Sequence, residues 1–313
     1  MRKMTDKLTR LIIISSLGIV VAAKIWAVKK NGFELSGSLI EQSKIVSGGP
    51  PRDGIPSIDR PRFIPVSRVD YLRDNDIVIG IVRGKIAKAY PTRILVWHEI
   101  VNDRIGSAPV VITYCPLCAT GMVFDRKVGN RVRTFGVSGL LYNSNVLMYD
   151  RESQSLWSQL AMKAVTGPLI GTKLKWVASE HSTWASWKRR YPFGQVMSLQ
   201  TGYRRHYQAA GPYQSYVASS KLMFPVPLTR GELANKALVI GVVIKGKAKA
   251  YAIDGLLSGH RIKDTLGSTQ ISVQYDRDSK RHRVVDSQGR QIPSVLVFWF
   301  AWQAFYPQTG LRK

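Results

Sequence analysis

Cys115 and Cys118 are the chain's two cysteines, spaced as Cys115-Pro116-Leu117-Cys118. Two thiols so placed can close a disulfide that pins a turn, shuttle between dithiol and disulfide, or face one metal ion together. For a metal, His98 is the best third donor, because imidazole nitrogen and thiolate sulfur together suit zinc or copper. Glu99 and Asp103 stand where a carboxylate could hold that imidazole in place. Taken alone, His98 reads equally well as a satisfied buried histidine. For redox exchange Cys115 is the attacking thiol. Dithiol oxidoreductases set the pair at a helix N-terminus, however, and Ala119 to Phe124 reads as a strand. Covalent haem attachment is excluded, since Ala119 stands where that motif requires histidine.

Other chemistry is thinner. Tyr142, Asn143 and Ser144 are candidates to line a pocket by hydrogen bonding, or to form a capped turn between strands. No Gly-x-Ser-x-Gly elbow supports a serine hydrolase, and no glycine-rich phosphate loop is present. His181, His206 and His282 sit in polar stretches and receive no role. The net charge of +26 favours anionic partners such as phospholipid head groups or acidic polymers. The basic residues are scattered, and no DNA- or RNA-reading motif accompanies them, so specific nucleic-acid binding is not expected. A non-enzymatic module holding anionic polymers is therefore the reading from another functional class.

The elements that must position these residues are mostly strands. Ile77 to Val82, Ala108 to Tyr114, Met122 to Phe124, Val146 to Tyr149 and Leu238 to Val243 are short apolar runs between turn formers. Thr92 to Ile100, after Pro91, predicts a helix. So does Thr183 to Lys188, with Ser182 as its cap. Val78 to Tyr90 aligns without a gap on Val239 to Tyr251, and the same offset sets Tyr114 on Tyr275. Asp276 and Arg277 follow Tyr275, where Cys115 and Pro116 follow Tyr114. The expected fold is therefore α+β and β-rich, with a duplicated strand-turn-strand core.

The N-terminus carries Arg2, Lys3, Lys7 and Arg10 before an apolar run from Leu11 to Val28 that Lys24 interrupts. This matches an export signal or a membrane anchor, and it places the bulk of the chain outside the cytoplasm. The expected divisions are a transmembrane or signal helix over residues 1–30, an irregular linker over 31–61, a first β-rich lobe over 62–230 and a second over 231–313.

One series of motifs runs through most of the chain: Asp53-Gly54-Ile55-Pro56-Ser57-Ile58-Asp59, Ala89-Tyr90-Pro91, Trp97-His98-Glu99-Ile100-Val101-Asn102-Asp103, Tyr114-Cys115-Pro116-Leu117-Cys118, Ser138-Gly139-Leu140-Leu141-Tyr142-Asn143-Ser144 and Ser155-Leu156-Trp157-Ser158-Gln159. Together they resemble an uncharacterised prokaryotic family known only as a domain of unknown function. The resemblance implies a largely exported domain and no established activity. The chain departs from the family pattern at Ala119, where glycine usually follows the second cysteine, and at His206, where an acidic residue usually precedes Tyr207.

Overall fold

The computed structural model describes residues 28–207, 211–227, 230–256 and 261–313. Among them five sheets of three to five strands are arranged like the blades of a β-propeller. The helices are short, Thr92–Leu95, Trp184–Arg190, Gln214–Ala218 and Trp299–Phe305.

This arrangement overturns the expected fold, a two-lobed α+β chain built on a duplicated core. The repeated segments are hairpins in two of the five sheets. A lone two-stranded hairpin is marginal in water and needs further strands beside it. Those strands come from far along the chain. Ile77–Arg83 and Ile86–Pro91 are flanked by Glu180–Thr183 on one side and by Gln195–Met197, running parallel, on the other. Leu238–Ile244 and Lys247–Ala252 are flanked by Ser294–Phe298 and, again in parallel, by Gly310–Arg312. The repeat does not reach those outer strands, so it could not reveal the sheets.

The local readings fare better. Each apolar run named above lies in a strand. The helix after Pro91 is only one turn long. The cap of the helix Trp184–Arg190 is Thr183, whose Oγ1 accepts from Ser186 N–H at 3.4 Å. Ser182 lies one residue before the cap position, and its Oγ accepts from Arg190 at 3.2 Å instead.

Two neighbouring sheets carry the residues of interest. One contains Ile100–Ile105, Ala108–Cys115 and Thr120–Asp125 in antiparallel order. The other contains Phe135–Tyr142, Asn145–Asp150 and Leu156–Ser158, with Ile45–Ser47 on its edge. Their facing sides share one apolar core that includes Cys115, Cys118, Phe135, Trp157 and Trp299. The motif residues tie the two sheets. Tyr149 donates to Asp53 at 2.5 Å, Arg151 meets Asp59 at 2.5 Å, and Asn102 donates to Asp59 at 2.8 Å.

Among the described residues no helix is long and apolar enough to cross a membrane. The expected membrane or signal helix over residues 1–30 falls, but for its last three residues, on residues 1–27, which lie outside the described ones; Lys29–Lys30 form a short strand.

Candidate functional site

The strand Ala108–Cys115 delivers Cys115 to its last position, opposite Thr120. Pro116 to Ala119 then turn the chain, and Cys118 N–H donates to the Cys115 carbonyl at 3.2 Å. Ala119 closes the turn at φ +55, a conformation glycine adopts without strain. That explains why a glycine suits this position.

Both cysteines are free and fully buried. Cys118 Sγ lies 3.1 Å from the Ser144 carbonyl oxygen and Cys115 Sγ 3.9 Å from it. Burial opposes a thiolate at Cys115. Hydrogen bonds from the Cys118 thiol and from the N–H groups of Cys118, Val146 and Leu117 outweigh it, so Cys115 falls below the usual thiol value. Cys118 is pushed well above that value, by burial and by its bond and charge coupling to Cys115. Of the two thiols, Cys115 is thus the easier to ionise. No helix terminus is involved, because backbone N–H groups of the turn do the work.

Glu99 stands beside this pair. It is buried and takes φ +57, just past the one-turn helix, with its N–H on the Leu95 carbonyl at 2.7 Å. A non-glycine residue in this left-handed position costs roughly 1–2 kcal/mol. Among the described residues the Glu99 carboxyl has no hydrogen-bond partner. It borders a small cavity of about 40 Å³, together with Leu117, Tyr213 and Phe224. Burial pushes the carboxyl up to about 8, and the Cys115 charge adds to the shift. Tyr213 is raised by burial and then by the charges of Glu99 and Cys115. Tyr216, whose hydroxyl donates to the Leu117 carbonyl at 3.0 Å, is raised by burial and then by both cysteines. Tyr216 is thus tied to the thiol turn, and Tyr213 lines the small cavity beside it.

Tyr142, Asn143 and Ser144 form the tip of the adjacent hairpin. Asn143 and Ser144 both take positive φ, at +48 and +62, as a two-residue hairpin turn of type I′ requires. This turn aims the Ser144 carbonyl at the sulfurs. Asn143 donates to the Ala304 carbonyl at 3.1 Å, and the Tyr142 ring packs edge-on against Phe305 at 5.3 Å. Gln159 locks the two hairpins together. It accepts from Thr120 Oγ1 and Asn145 Nδ2, each at 2.8 Å, and donates to Thr113 Oγ1 at 2.8 Å.

His98 is not brought to the sulfurs. Its Nδ1 lies 2.7 Å from the Pro56 carbonyl and its Nε2 2.6 Å from the Tyr207 hydroxyl. A carbonyl can only accept, so Nδ1 carries the proton and Nε2 accepts from Tyr207. Both ring nitrogens are thereby used, and burial lowers the imidazole's pKa. Asp103 points elsewhere as well. It pairs with Lys88 at 2.9 Å and accepts from the Tyr90 hydroxyl at 2.6 Å. Among the described residues no three His, Cys, Asp or Glu side chains converge as a metal-binding group. Of these two neighbours along the chain, His98 is held by Pro56 and Tyr207 while Glu99 lines the cavity beside Leu117.

Sequence reasoning missed Tyr213, Tyr216, Asn145 and Gln159. The tyrosines come from a segment a hundred residues downstream with no periodicity to mark it. Gln159 at the end of an apolar motif was the one available signal, since a buried amide needs partners. His181 and His282, which had no assigned role, form a buried edge-on pair with ring centres 5.8 Å apart. Burial holds His181 down to about 3 and His282 to about 4.

The family comparison agrees with this picture in extent and adds no activity. The model of a family described as "Protein of unknown function (DUF3179)" matches residues 52–309, so the chain belongs to that family. No curated protein and no solved structure matches the chain.

Proposed function

We propose that this DUF3179 member is a dithiol–disulfide exchange protein, with Cys115 as attacking thiol, Cys118 as resolving thiol and Glu99 as proton carrier. One observation carries the reading: two free, buried thiols on one turn share the Ser144 carbonyl, and the buried residue Glu99 lines a cavity against the same turn. The basic leader and apolar run at residues 2–28 support an extracytoplasmic setting, where disulfides persist.

The Cys115 thiolate attacks one sulfur of a substrate disulfide. A Cys115–substrate bond forms, the substrate S–S bond breaks, and protonated Glu99 gives its proton to the departing thiolate. The Glu99 carboxylate then takes the Cys118 proton as Cys118 attacks Cys115 Sγ. The second substrate thiolate leaves, Cys115 and Cys118 are joined, and two electrons have passed to the substrate. Glu99 ends protonated, as it began. Both thiols are buried, so exchange requires residues packed against the turn, Tyr213 among them, to move aside.

Trapping with a thiol reagent after exposure to a disulfide tests the proposal. The parent chain is expected to form one Cys115–Cys118 disulfide that dithiothreitol reverses. Cys118→Ser is expected to stop at a mixed disulfide on Cys115, and Cys115→Ser to remain unreacted. Glu99→Gln is expected to slow exchange by about a hundredfold, the usual size of a lost proton carrier. Equal reactivity of Cys115→Ser and the parent sinks the reading. So does zinc or copper recovered one per chain with both thiols blocked, which would make the turn a metal site.

A further inference from the structure

Three cavities meet at Tyr213. One is the small cavity at Glu99. A cleft of about 370 Å³ runs past Tyr114 and Pro116. The third, of about 540 Å³, is floored by Trp97 and walled by Arg204, Arg205 and His206. The last has the size of a small-molecule site. Its charge sets it apart. In the 370 Å³ cleft Arg93 is paired with Asp76 at 2.7 Å. In a groove of about 610 Å³ on the fifth sheet, which is built of Arg261–Leu266, Thr269–Asp276 and Arg281–Asp286, the residues Arg261 and Lys263 share the walls with Asp264 and Asp286. The Trp97 cleft has no acidic residue among those lining it. Arg204 and Arg205 are exposed, and among the described residues neither meets a carboxylate; Arg205 donates only to the Arg204 carbonyl, at 3.0 Å. Two uncompensated guanidinium groups over an aromatic floor match a planar anion, which arginine binds through paired hydrogen bonds.

Resting on the exchange reading above, we infer that the substrate is a small disulfide bearing carboxylates, held by Arg204 and Arg205 over Trp97 while its sulfurs reach Cys115 past Tyr213. The bonds made and broken are those of the exchange already described, and the carboxylates stay unreacted.

Thiol loss from the full-length chain is measured with three disulfides at equal ionic strength: glutathione disulfide (anionic), bis(2-hydroxyethyl) disulfide (neutral) and cystamine (cationic). The chain's overall charge of +26 favours the anion anywhere on its surface. The decisive quantity is therefore the ratio of the anionic to the neutral rate in two variants of equal charge. Arg204→Ala/Arg205→Ala is expected to lower that ratio about tenfold, the effect of one lost charge-assisted hydrogen bond or more. Arg261→Ala/Lys263→Ala, on the fifth sheet, is expected to change it by less than about twofold, as screened distant charges should. An unchanged ratio in the first variant, or an equal fall in both, overturns the substrate assignment while leaving exchange standing. Failure of all three disulfides to consume the thiols overturns the exchange reading, and the assignment with it.

Discussion

Residues 77–125 and 238–286 build the same ties with different residues at one turn. In the first region Lys88 and Tyr90 meet Asp103 at 2.9 and 2.6 Å. In the second Lys249 and Tyr251 meet Asp264 at 2.6 and 2.8 Å. Gly80 leaves room for the Trp187 ring and Gly241 for Trp302. Each tryptophan stacks on a tyrosine with ring centres 4.4 Å apart. The regions part after their eight-residue strands. In the second, Asp276 accepts from Ser279 N–H at 3.0 Å, so a polar turn closes on itself. In the first, two buried thiols occupy that place. The frame folds without the thiols, so the thiols answer to something other than the frame.

The largest effect expected from this difference is electrostatic. Glu99 has an ordinary carboxylate value of 4.5 and a folded value of about 8. Between those values the folded chain binds a proton that the unfolded chain has released. Stability contributed at this site is therefore full below pH 4.5 and lost as pH rises toward 8, at about 1.4 kcal/mol per pH unit. Glu99→Gln removes that slope. Its stability relative to the parent should climb by this amount per unit across the window, read from urea unfolding at several pH values. His181 and His282 act in the opposite sense. Their folded values lie below the ordinary 6.5, so stability falls as pH drops below it. Both proteins carry that term, and it cancels in the difference. A flat difference would mean that Glu99 is not the strained group that distinguishes the two regions.

Shared ties should break alike. A Cβ at Gly80 or Gly241 would overlap the buried tryptophan ring packed against it. Gly80→Ala and Gly241→Ala are each expected to lose about 3 kcal/mol, at the upper end for overpacking. A urea midpoint that moves for one and not the other would end the equivalence. The lysine–tyrosine–aspartate ties should differ in degree. The Asp103 side chain is 11% exposed and that of Asp264 20%. Asp103→Ala is expected to cost about 2 kcal/mol and Asp264→Ala about 1 kcal/mol, since removing an ion-pair partner costs more where less water can replace it.

These ties also show what the sequence could reveal. Val78 to Tyr90 and its copy were legible because a continuous apolar run and a basic turn are local. The sheets were not, because Glu180–Thr183 and Ser294–Phe298 lie outside the repeat and join their hairpins only through long-range pairing. At the site the thiol turn was legible from its spacing. Its neighbours were not. Glu99 follows His98 directly, and nothing in composition says that one lines the cavity beside Leu117 while the other is held on Pro56 and Tyr207. Tyr213 belongs to a segment whose place over the turn follows from the closure of the whole core.

The smallest expected effect tests the turn itself. Ala119 takes φ +55, and Lys280, at the equivalent place in the second region, takes φ +49. Each pays the left-handed penalty of roughly 1 kcal/mol that glycine escapes. Glycine returns part of that gain through the greater freedom of the unfolded chain. Ala119→Gly and Lys280→Gly are therefore each expected to stabilise the protein by about 0.5 kcal/mol, seen as a small rise in urea midpoint with unchanged slope. Their effects on chemistry should separate. Ala119 adjoins Cys118, whose N–H helps hold the Cys115 sulfur. A looser backbone there is expected to slow disulfide exchange severalfold by weakening that bond, whereas Lys280→Gly leaves it alone. If both variants stabilise and neither alters exchange, the turn geometry is shared scaffolding and the reactivity of Cys115 comes from its surroundings, with Glu99 foremost.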